Sequence, residues 1–294
     1  MSRSSICYLN GDYLPLDQAR VSVLDRGFIF GDGVYEVIPA YGGNLFRLRQ
    51  HLQRLHNSLE AIRLSNPLSD TQWQTLLQTL VEKNQHAPES DQSIYLQITR
   101  GVAQRDHRFP QNTPATVFAM SHPLTPVAME ELQTGVAAIT LDDIRWRYCY
   151  IKTIALLPNI LLKQQAIEKQ ATEAILVRNG EVTEGSASNL FIVKDGVIKT
   201  PAKSEYLLPG ITRDLIVELA QKNRLPCEEC RITETELHAA DEIWLSSSTK
   251  EILPVTRLDD KTVGNGKAGP RWQKMIGVYQ AYKQTLRKHA EGAA

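Results

Sequence analysis

The chain has 294 residues, 42% of them hydrophobic, and its 33 basic residues balance its 33 acidic residues. This length allows two domains with separate cores, and the balanced charge gives no field that favours nucleic acid or an anionic membrane. We therefore expect a small-molecule partner. No run of about 18 apolar residues occurs, and the N-terminal stretch turns polar by Asn10, so we expect no membrane span, no signal peptide and a cytoplasmic protein.

The first half of the chain alternates strand and helix patterns. Asn10 and Gly11 supply the two positive-φ positions of a hairpin turn, and Gly42-Gly43 forms another turn. Leucines at intervals of three and four predict a first helix, and Asp70 is the expected N-cap of a second. The predicted elements cover 6–14, 33–48, 47–64, 70–84, 93–101 and 115–121. Together they predict a small α+β domain over 1–121.

Two prolines and a loss of periodicity predict a linker over 122–132. Beyond it, strands and helices mix without an internal repeat, and Asn179-Gly180 and Asp195-Gly196 mark turns. The predicted strands cover 135–141, 173–179, 189–200 and 241–255, and the predicted helices cover 157–171, 210–223 and a final segment to about 287. We expect a larger, barrel-like or sandwich α/β domain over 133–294.

Lys152 lies in an apolar stretch, "RYCYIKTIALLPN". Burying an ammonium without a partner is costly, so such a lysine either extends to water or loses its proton. In the first case it is an ordinary surface lysine on an apolar stem. In the second it is a nucleophile that can form a Schiff base with a carbonyl compound.

Glu184 and Gly185 interrupt a strand pattern in "GEVTEGSASNLFIV", and small residues follow them. Small side chains after a glycine let another group approach the backbone. Glu184 could face a cationic nitrogen of a ligand. The same pattern also fits a plain β-bulge with a solvated glutamate.

Two further stretches favour an anion. In "LLPGITRD", Gly210 precedes a helix with Thr212 in its first turn, and free N–H groups at a helix start bind phosphate. The hydroxyl groups of "SSSTK" follow a strand and could add donors. Ordinary helix capping explains each stretch equally well.

The loop "RGVAQRDHRFP" places Arg105 and His107 two residues apart, a pair suited to a carboxylate, although solvated charge is common in loops. "CEEC", Cys227 to Cys230, could be a redox dithiol or half of a zinc site. No second cysteine pair or short-spaced histidine pair accompanies it, so we predict a strand end and no metal.

Six stretches resemble the fold type IV pyridoxal-phosphate enzymes in order and spacing, and the whole chain is similar to D-amino acid aminotransferases. They are "FIFGDGVYEV", "RGVAQRDHRFP", "CYIKTIALLPNILLKQQA", "VTEGSASNLFIV", "GITRD" and "DEIWLSSSTKEILPV". The resemblance implies a two-domain fold and pyridoxal 5′-phosphate as the carbonyl partner of Lys152. Two positions depart from the expected pattern, Ala187 in place of a serine and Pro209, which is equally typical of branched-chain enzymes.

The resemblance also implies roles for individual residues. Glu184 would pair with the pyridine nitrogen, and Leu208 would pack against the ring. Arg54 would clamp the phosphate, although the helical period puts it only on the flank of its helix. Ile211, Thr212 and Ser248 would assist Arg54. Tyr35, Arg105 and His107 would bind the substrate carboxylate.

In such an enzyme Lys152 moves the Cα proton, and two half-reactions follow one another in ping-pong order. The Arg-x-His pair favours D-amino acids, with D-alanine and 2-oxoglutarate giving pyruvate and D-glutamate. The loop would reach the neighbouring subunit's site, which implies a homodimer. Alternatives are a branched-chain L-amino acid aminotransferase, an aminodeoxychorismate lyase, or a small-molecule binding protein in which Lys152 is idle.

Overall fold

The computed structural model describes residues 5–85 and 90–291. The chain forms two compact units. The first comprises Met1–Thr125, Ile151–Ala155 and Lys283–Ala294, and the second comprises Pro126–Tyr150 and Leu156–Tyr282. The expected linker, 122–132, contains the first boundary. The expected second domain, 133–294, differs from the second unit in two segments, because 151–155 and 283–294 associate with the first.

The first unit is built on one antiparallel sheet of six strands in the order β2-β1-β6-β5-β3-β4. Its elements are β1 (Ile6–Leu9), β2 (Asp12–Pro15), α1 (Arg26–Phe30), β3 (Gly33–Tyr41), β4 (Asn44–Leu45), α2 (Leu48–Ala61), α3 (Asp70–Lys83), β5 (Gln92–Thr99) and β6 (Thr116–Pro123). Asn10 and Gly11 have positive φ, which confirms the predicted hairpin turn. The α+β character of this region is also confirmed.

The core of the first unit lies between the sheet and the helices α2 and α3. Val34 and Ile38 of β3 are fully buried in it, together with Leu55 of α2 and Leu77 of α3. The leucine spacing therefore predicted the buried face of α2 correctly. The predicted N-cap of α3 was wrong by one residue, because the Ser69 side chain accepts from the helix and forms a capping box.

The second unit carries a mixed nine-stranded sheet in the order β12-β11-β10-β13-β14-β7-β8-β9, with β15 paired to β14. Its strands are β7 (Val136–Asp142), β8 (Glu173–Arg178), β9 (Glu181–Gly185), β10 (Asn189–Lys194), β11 (Val197–Pro201), β12 (Cys227–Cys230), β13 (Glu242–Ser247), β14 (Glu251–Leu258) and β15 (Lys261–Thr262). The pairs β11/β12, β14/β7 and β7/β8 are parallel. The sheet curls into a half-barrel, as the predicted pseudo-barrel requires.

The helices of this part of the chain are α4 (Met129–Thr134), α5 (Leu157–Glu168), α6 (Ile211–Lys222), α7 (Glu234–His238) and α8 (Pro270–Glu291). Within the described residues, no helix combines the length and apolar character needed to cross a membrane. The strands around Asn179-Gly180 and Asp195-Gly196 turn where the sequence predicts, with positive φ at all four residues.

The "CEEC" stretch forms the strand β12, which confirms the strand prediction. An extended chain separates Cys227 and Cys230 by roughly 10 Å, too far for a disulfide between them. Both cysteines are free, and burial raises the pKa of the Cys227 thiol to about 11. The redox-dithiol interpretation is therefore wrong for this conformation.

Candidate active site

Lys152 is fixed through its backbone to β3 and α2 of the first unit. Its carbonyl accepts from the Tyr35 N–H at 2.9 Å, and its own N–H donates to Ser58 Oγ at 3.2 Å. The side chain is half-buried, and its Nζ lies 4.1 Å from the centre of the Tyr35 ring. Within the described ranges, no carboxylate forms an ion pair with this amine. The segment thus holds the Lys152 amine against an aromatic face, without a described carboxylate partner.

Tyr35 lies on the face of β3 opposite to the core residues Val34 and Ile38, as strand alternation requires. Its ring stacks on Tyr95 with centroids 5.6 Å apart, and the Tyr95 hydroxyl donates to Gln97 at 2.7 Å. Burial, with the neighbouring Tyr35, raises the pKa of Tyr95 to about 12. The Tyr35 ring is therefore supported on one face by Tyr95, a neutral tyrosine that is itself hydrogen-bonded.

Arg54 is buried rather than on the flank of its helix, which corrects the expectation from the leucine period. Its Nε and Nη2 donate to the two oxygens of Glu36 at 2.8 and 2.7 Å. His51, one turn earlier on α2, contacts Glu36 Oε2 through Nδ1 at 2.8 Å.

Sequence reasoning missed Glu36 and His51. Both are almost completely buried, with 0% and 1% of their surface exposed. Burial alone would raise the pKa of Glu36, but the Arg54 guanidinium and the His51 contact together hold it well below its usual range. A signal was present in the sequence, since Glu36 falls between Val34 and Ile38 on the core-facing side of a predicted strand.

The loop after β5 carries Arg105 and His107, and both are exposed. Both lie near the Phe30 ring, whose centre is 5.4 Å from the Arg105 guanidinium carbon and 5.5 Å from the centre of the His107 ring. The two side chains therefore share one side of the loop, as expected from their spacing. In the described part of the chain, no hydrogen bond or ring contact joins this pair to Tyr35 or Lys152.

A buried ionic network anchors this loop. Asp32 accepts from Arg26 and Arg100, and both contacts to Oδ2 measure 2.8 Å. Arg26 also donates to the Asp106 carbonyl at 2.6 Å, and the Arg100 guanidinium carbon lies 3.7 Å from the Phe109 ring centre. Although burial opposes it, hydrogen bonding to the two arginines keeps the pKa of Asp32 below its usual range. The loop is thus tied down at two points on either side of His107.

Glu184 is buried at the end of β9 in the second unit. Its Oε1 accepts from Arg145 Nη1 at 2.5 Å, and its Oε2 accepts from the Asn189 amide and the Leu208 N–H, both at 3.0 Å. The glutamate is therefore not solvated, although the pairing of β8 with β9 does shift register beside it, as a bulge would. Burial raises the pKa of Glu184 to about 7, although Arg145 opposes this shift.

Arg145 is the main residue of this site that sequence reasoning missed. Its Nε and Nη2 each donate to Asp143 at 2.9 Å, which leaves Nη1 for Glu184. Arg178 lies 3.3 Å from the same Asp143 carboxylate. Two carboxyl groups and two guanidinium groups thus form one connected network. The sequence signal was indirect, since a buried glutamate requires a cationic or hydrogen-bonding partner.

Leu208 helps to fix Glu184 through its backbone N–H, which donates to the Glu184 carboxyl group. Its carbonyl accepts from Asn189 at 2.9 Å, so the same two residues fix each other and Glu184. A Cβ on Gly210 would lie only 1.9 Å from Asn189 Oδ1, which explains the glycine at this position. The glycine is thus required for close packing against Asn189.

Helix α6 begins at Ile211, and its N-cap residue, Gly210, makes no side-chain capping bond. The first-turn N–H groups of Ile211 and Thr212 are consequently oriented for an anion, and both residues are buried. Ser248 lies in the turn after β13 and is partly exposed. Nearby in sequence, the buried Ser246 hydroxyl has no partner among the described residues.

The small residues after Gly185 have a structural role. Ser186 Oγ and Ser188 Oγ both donate to the buried Glu173 carboxylate, the latter at 3.0 Å. A Cβ on Gly185 would lie 2.3 Å from Ser188 Oγ, so the turn needs a glycine. Ala187 is exposed.

Comparisons with known proteins agree with this architecture. The model of the amino-transferase class IV family matches residues 33–258. The chain therefore belongs to the class IV aminotransferases. A D-alanine aminotransferase of Bacillus licheniformis is 42% identical over 89% of this chain and 91% of its own length. One from Staphylococcus epidermidis is 38% identical over 95% of this chain and 98% of its own.

A solved branched-chain amino acid aminotransferase of Escherichia coli has a TM-score of 0.88 and 27% identity, and the match covers 95% of this chain and 94% of that one. Another branched-chain enzyme, solved with pyridoxamine 5′-phosphate, has a TM-score of 0.89 and 28% identity over 98% of this chain and 97% of its own. The resemblance to fold type IV aminotransferases is therefore confirmed over nearly the whole chain. The sequence relatives and these structural neighbours bear different substrate names.

Proposed function

We propose that this protein is a pyridoxal-phosphate-dependent D-amino acid:2-oxo acid aminotransferase that converts D-alanine and 2-oxoglutarate to pyruvate and D-glutamate. The observation that carries the proposal is the Lys152 amine, fixed by its backbone and without a carboxylate partner in the described residues. The D-alanine aminotransferase relatives, up to 42% identical, support the substrate.

The residues present fit the proposed cofactor. The first turn of α6 lacks a side-chain cap, which suits a phosphate at Ile211 and Thr212, with Ser248 as a further donor. Arg54 supplies a guanidinium to the same group. Glu184 supplies a buried carboxylate for a ring nitrogen. When bound, the cofactor supplies a carbonyl for exchange of amines and a ring that accepts electrons.

Each residue then has one task. Lys152 Nζ would take the proton from the substrate Cα and would deliver it to the carbonyl carbon of the cofactor, C4′. Glu184 holds a proton on the ring nitrogen, and the donors on Asn189 and Leu208 prevent its carboxylate from rotating. Leu208 also lines the ring. Arg145 keeps Glu184 ionised enough to do this at neutral pH.

We assign the substrate carboxylate to Arg105 and His107, with Tyr35 as a further contact. The Phe30 ring holds the pair together, and a guanidinium beside an imidazole is suited to a carboxylate. The pair is exposed, and apolar residues close to it and to Phe30 in sequence are exposed as well, with Phe28 at 72% and Phe109 at 51%. These observations support a homodimer in which this loop completes the partner subunit's site.

A branched-chain L-amino acid aminotransferase is the second candidate, because both solved structural neighbours carry that name. The purified protein should be mixed with D-alanine and with L-leucine, without an acceptor, while the cofactor absorbance is recorded. Conversion to the pyridoxamine form by D-alanine alone supports our proposal. Conversion by L-leucine alone supports the second candidate, and no conversion with either rejects both.

The lysine needs its own test. We expect Lys152→Ala to lower the rate of the D-alanine half-reaction by at least about 100-fold, because no other base replaces the amine. Lys169→Ala, at an exposed position at the end of α5, is the matched control and should retain the wild-type rate. Appreciable turnover by Lys152→Ala would contradict the mechanism.

A further inference from the structure

Arg26 is a buried arginine whose side chain contacts the loop that carries Arg105 and His107. Only 4% of the residue is exposed. Its Nη1 donates to the backbone carbonyl of Asp106 at 2.6 Å and to that of Arg108 at 3.3 Å. Because these two carbonyls flank His107 in the chain, one guanidinium nitrogen holds the backbone on both sides of that histidine.

The same guanidinium supports the aromatic ring near the carboxylate pair. The Arg26 guanidinium carbon lies 4.8 Å from the centre of the Phe30 ring, one turn later on α1. That ring lies 5.4 Å from the Arg105 guanidinium carbon and 5.5 Å from the His107 ring. Arg26 therefore acts on the pair through other groups, namely the loop backbone and the Phe30 ring.

The carboxylate partner of Arg26 does not depend on it. Asp32 accepts from Arg26 Nε at 2.8 Å, but Arg100 donates to both oxygens of the same carboxylate, through Nε at 2.8 Å and Nη2 at 3.1 Å. Without Arg26, Asp32 would keep a bidentate guanidinium partner, so its buried carboxylate would remain paired. Loss of the Arg26 side chain should therefore affect mainly the loop backbone and the Phe30 ring.

The attachment of α1 to the start of the loop is also independent of the Arg26 side chain. The Arg26 N–H donates to the Gly101 carbonyl at 2.9 Å, and Asp25 pairs with Val102 in an isolated β-bridge. Both contacts are made by the backbone, so they survive a substitution of the side chain. Such a substitution consequently tests the contacts to 106–108 alone.

We propose that Arg26 is a positioning residue for the substrate carboxylate, which sets the places of Arg105 and His107 without taking part in the chemistry at Lys152. This inference rests on the proposed function, in which that pair binds the carboxylate. A guanidinium and an imidazole bind one carboxylate together only if both sets of donors point to it. A displaced loop therefore weakens binding of the carboxylate, whereas the amine keeps its own backbone contacts to β3 and α2.

Two substitutions and one control separate position from charge. Arg26→Met removes the donors and keeps an unbranched apolar side chain. Arg26→Lys keeps the charge, but a single ammonium cannot occupy the places of Nε and Nη1 together. Arg108→Gln is the control, because it removes a cation from the same loop at a side chain that is 89% exposed and paired with Asp106.

We expect D-alanine to bind about tenfold more weakly to the Arg26→Met and Arg26→Lys holoenzymes, with a limiting rate of the half-reaction within about twofold of wild type. Single-turnover absorbance measurements over a range of D-alanine concentrations separate the two quantities. Hydroxylamine attacks the cofactor's carbonyl carbon but carries no carboxylate, so its rate should stay within about twofold of wild type in every variant. Arg108→Gln should match wild type with both reagents.

Hydrogen exchange measures the loop itself, without any reaction. The amides of 101–109 should exchange faster in Arg26→Met and Arg26→Lys than in wild type, because the side-chain contacts to the loop backbone are lost. The amides of β3 should exchange at the wild-type rate in both variants, and Arg108→Gln should match wild type in both segments.

Three outcomes would overturn the inference. Unchanged exchange of 101–109 in Arg26→Met would mean that its side chain does not hold the loop. A lower limiting rate with unchanged D-alanine binding would mean that Arg26 acts on the chemistry at Lys152. Equally weak D-alanine binding in Arg108→Gln would mean that the loop attracts the carboxylate by charge alone. Failure of the proposed function looks different, because wild type would then respond to neither D-alanine nor L-leucine while the difference in exchange remained.

Discussion

Glu36 in the first unit and Glu184 in the second are both buried glutamates with an arginine partner, yet their pKa values shift in opposite directions. Glu36 receives two bonds from Arg54 and one from His51. Glu184 receives a single bond from its arginine, because the forked edge of Arg145 is occupied by Asp143. Burial raises the pKa of both glutamates, and bonds from charged donors lower it. The number of those bonds decides which effect is larger.

The difference matches two tasks. A carboxylate that orients cationic side chains must remain ionised at every working pH, and three charged or hydrogen-bonding contacts ensure this for Glu36. A carboxylate that shares a proton with a ring nitrogen works best when its own pKa is near neutrality. Asp143 contributes to that in Glu184, because its negative charge raises the pKa of the neighbouring carboxyl.

The largest expected effect comes from removing the charge of Glu36. Glu36→Gln leaves the buried Arg54 guanidinium without its counter-ion, so we expect a loss of about 3 to 5 kcal/mol in the free energy of unfolding. Urea denaturation at pH 7 measures it. The control is Glu60→Gln, an exposed position on α2, the helix that carries Arg54. It should change the free energy of unfolding by less than about 0.5 kcal/mol. A loss below about 1 kcal/mol in Glu36→Gln would show that the pair is dispensable for folding.

The pH dependence of the free energy of unfolding should distinguish the contributions of Glu36 and Glu184. The depressed pKa of Glu36 gives stability that is present above its ordinary value, 4.5, and is lost as the pH falls below it. The raised pKa of Glu184 has the opposite sign. Its protonated form is favoured by folding, so that contribution is complete below 4.5 and lost as the pH rises towards about 7.

Apoprotein stability measured from pH 4.5 to 8 tests this sign. Between pH 4.5 and 7 the wild type should lose about 3 kcal/mol relative to Glu184→Gln, which cannot titrate. The difference between the two curves should become constant above pH 7. A constant difference over the whole range would show that the Glu184 carboxyl is ionised at pH 5 and that Arg145 outweighs burial.

Arg145 itself gives a smaller effect. Arg145→Lys retains the charge, but one ammonium cannot make the fork to Asp143 and reach Glu184 together, so we expect a loss of about 1 to 3 kcal/mol. Arg147→Lys is the matched control two residues away, because that side chain is 68% exposed and its pair with Glu205 should contribute little. Equal effects of the two substitutions in urea denaturation would contradict the network.

The sequence predicted those parts of the fold that depend on local chemistry. Turns with two positive-φ residues, such as Asn10-Gly11, were found because few residues adopt that conformation. The buried face of α2 followed from leucine spacing. The membership of Ile151–Ala155 in the first unit was not predicted, because it depends on a bridge between Thr153 and Val34 that no local pattern encodes.

The candidate site divides in the same way. Lys152 and Glu184 were found because a charged residue is uncommon in an apolar stretch, where burying it without a partner is costly. Arg145, the partner of Glu184, and His51, the partner of Glu36, were missed because polar residues on helices and loops usually face water, and only the folded chain shows that these two do not. Whether a buried charge is paired is a tertiary property, and the sequence supplies at best one member of each pair.

The smallest expected effect concerns a hydroxyl that the second unit leaves unpaired. Ser246 Oγ is buried without a described partner, so Ser246→Ala should stabilise the apoprotein by up to about 1 kcal/mol, since no hydrogen bond is lost. Ser186→Ala, which removes a bond to the buried Glu173, should destabilise it by about 1 kcal/mol. If Ser246→Ala instead destabilises as much as Ser186→Ala does, the hydroxyl has a partner in the folded apoprotein. It would then be an ordinary core serine.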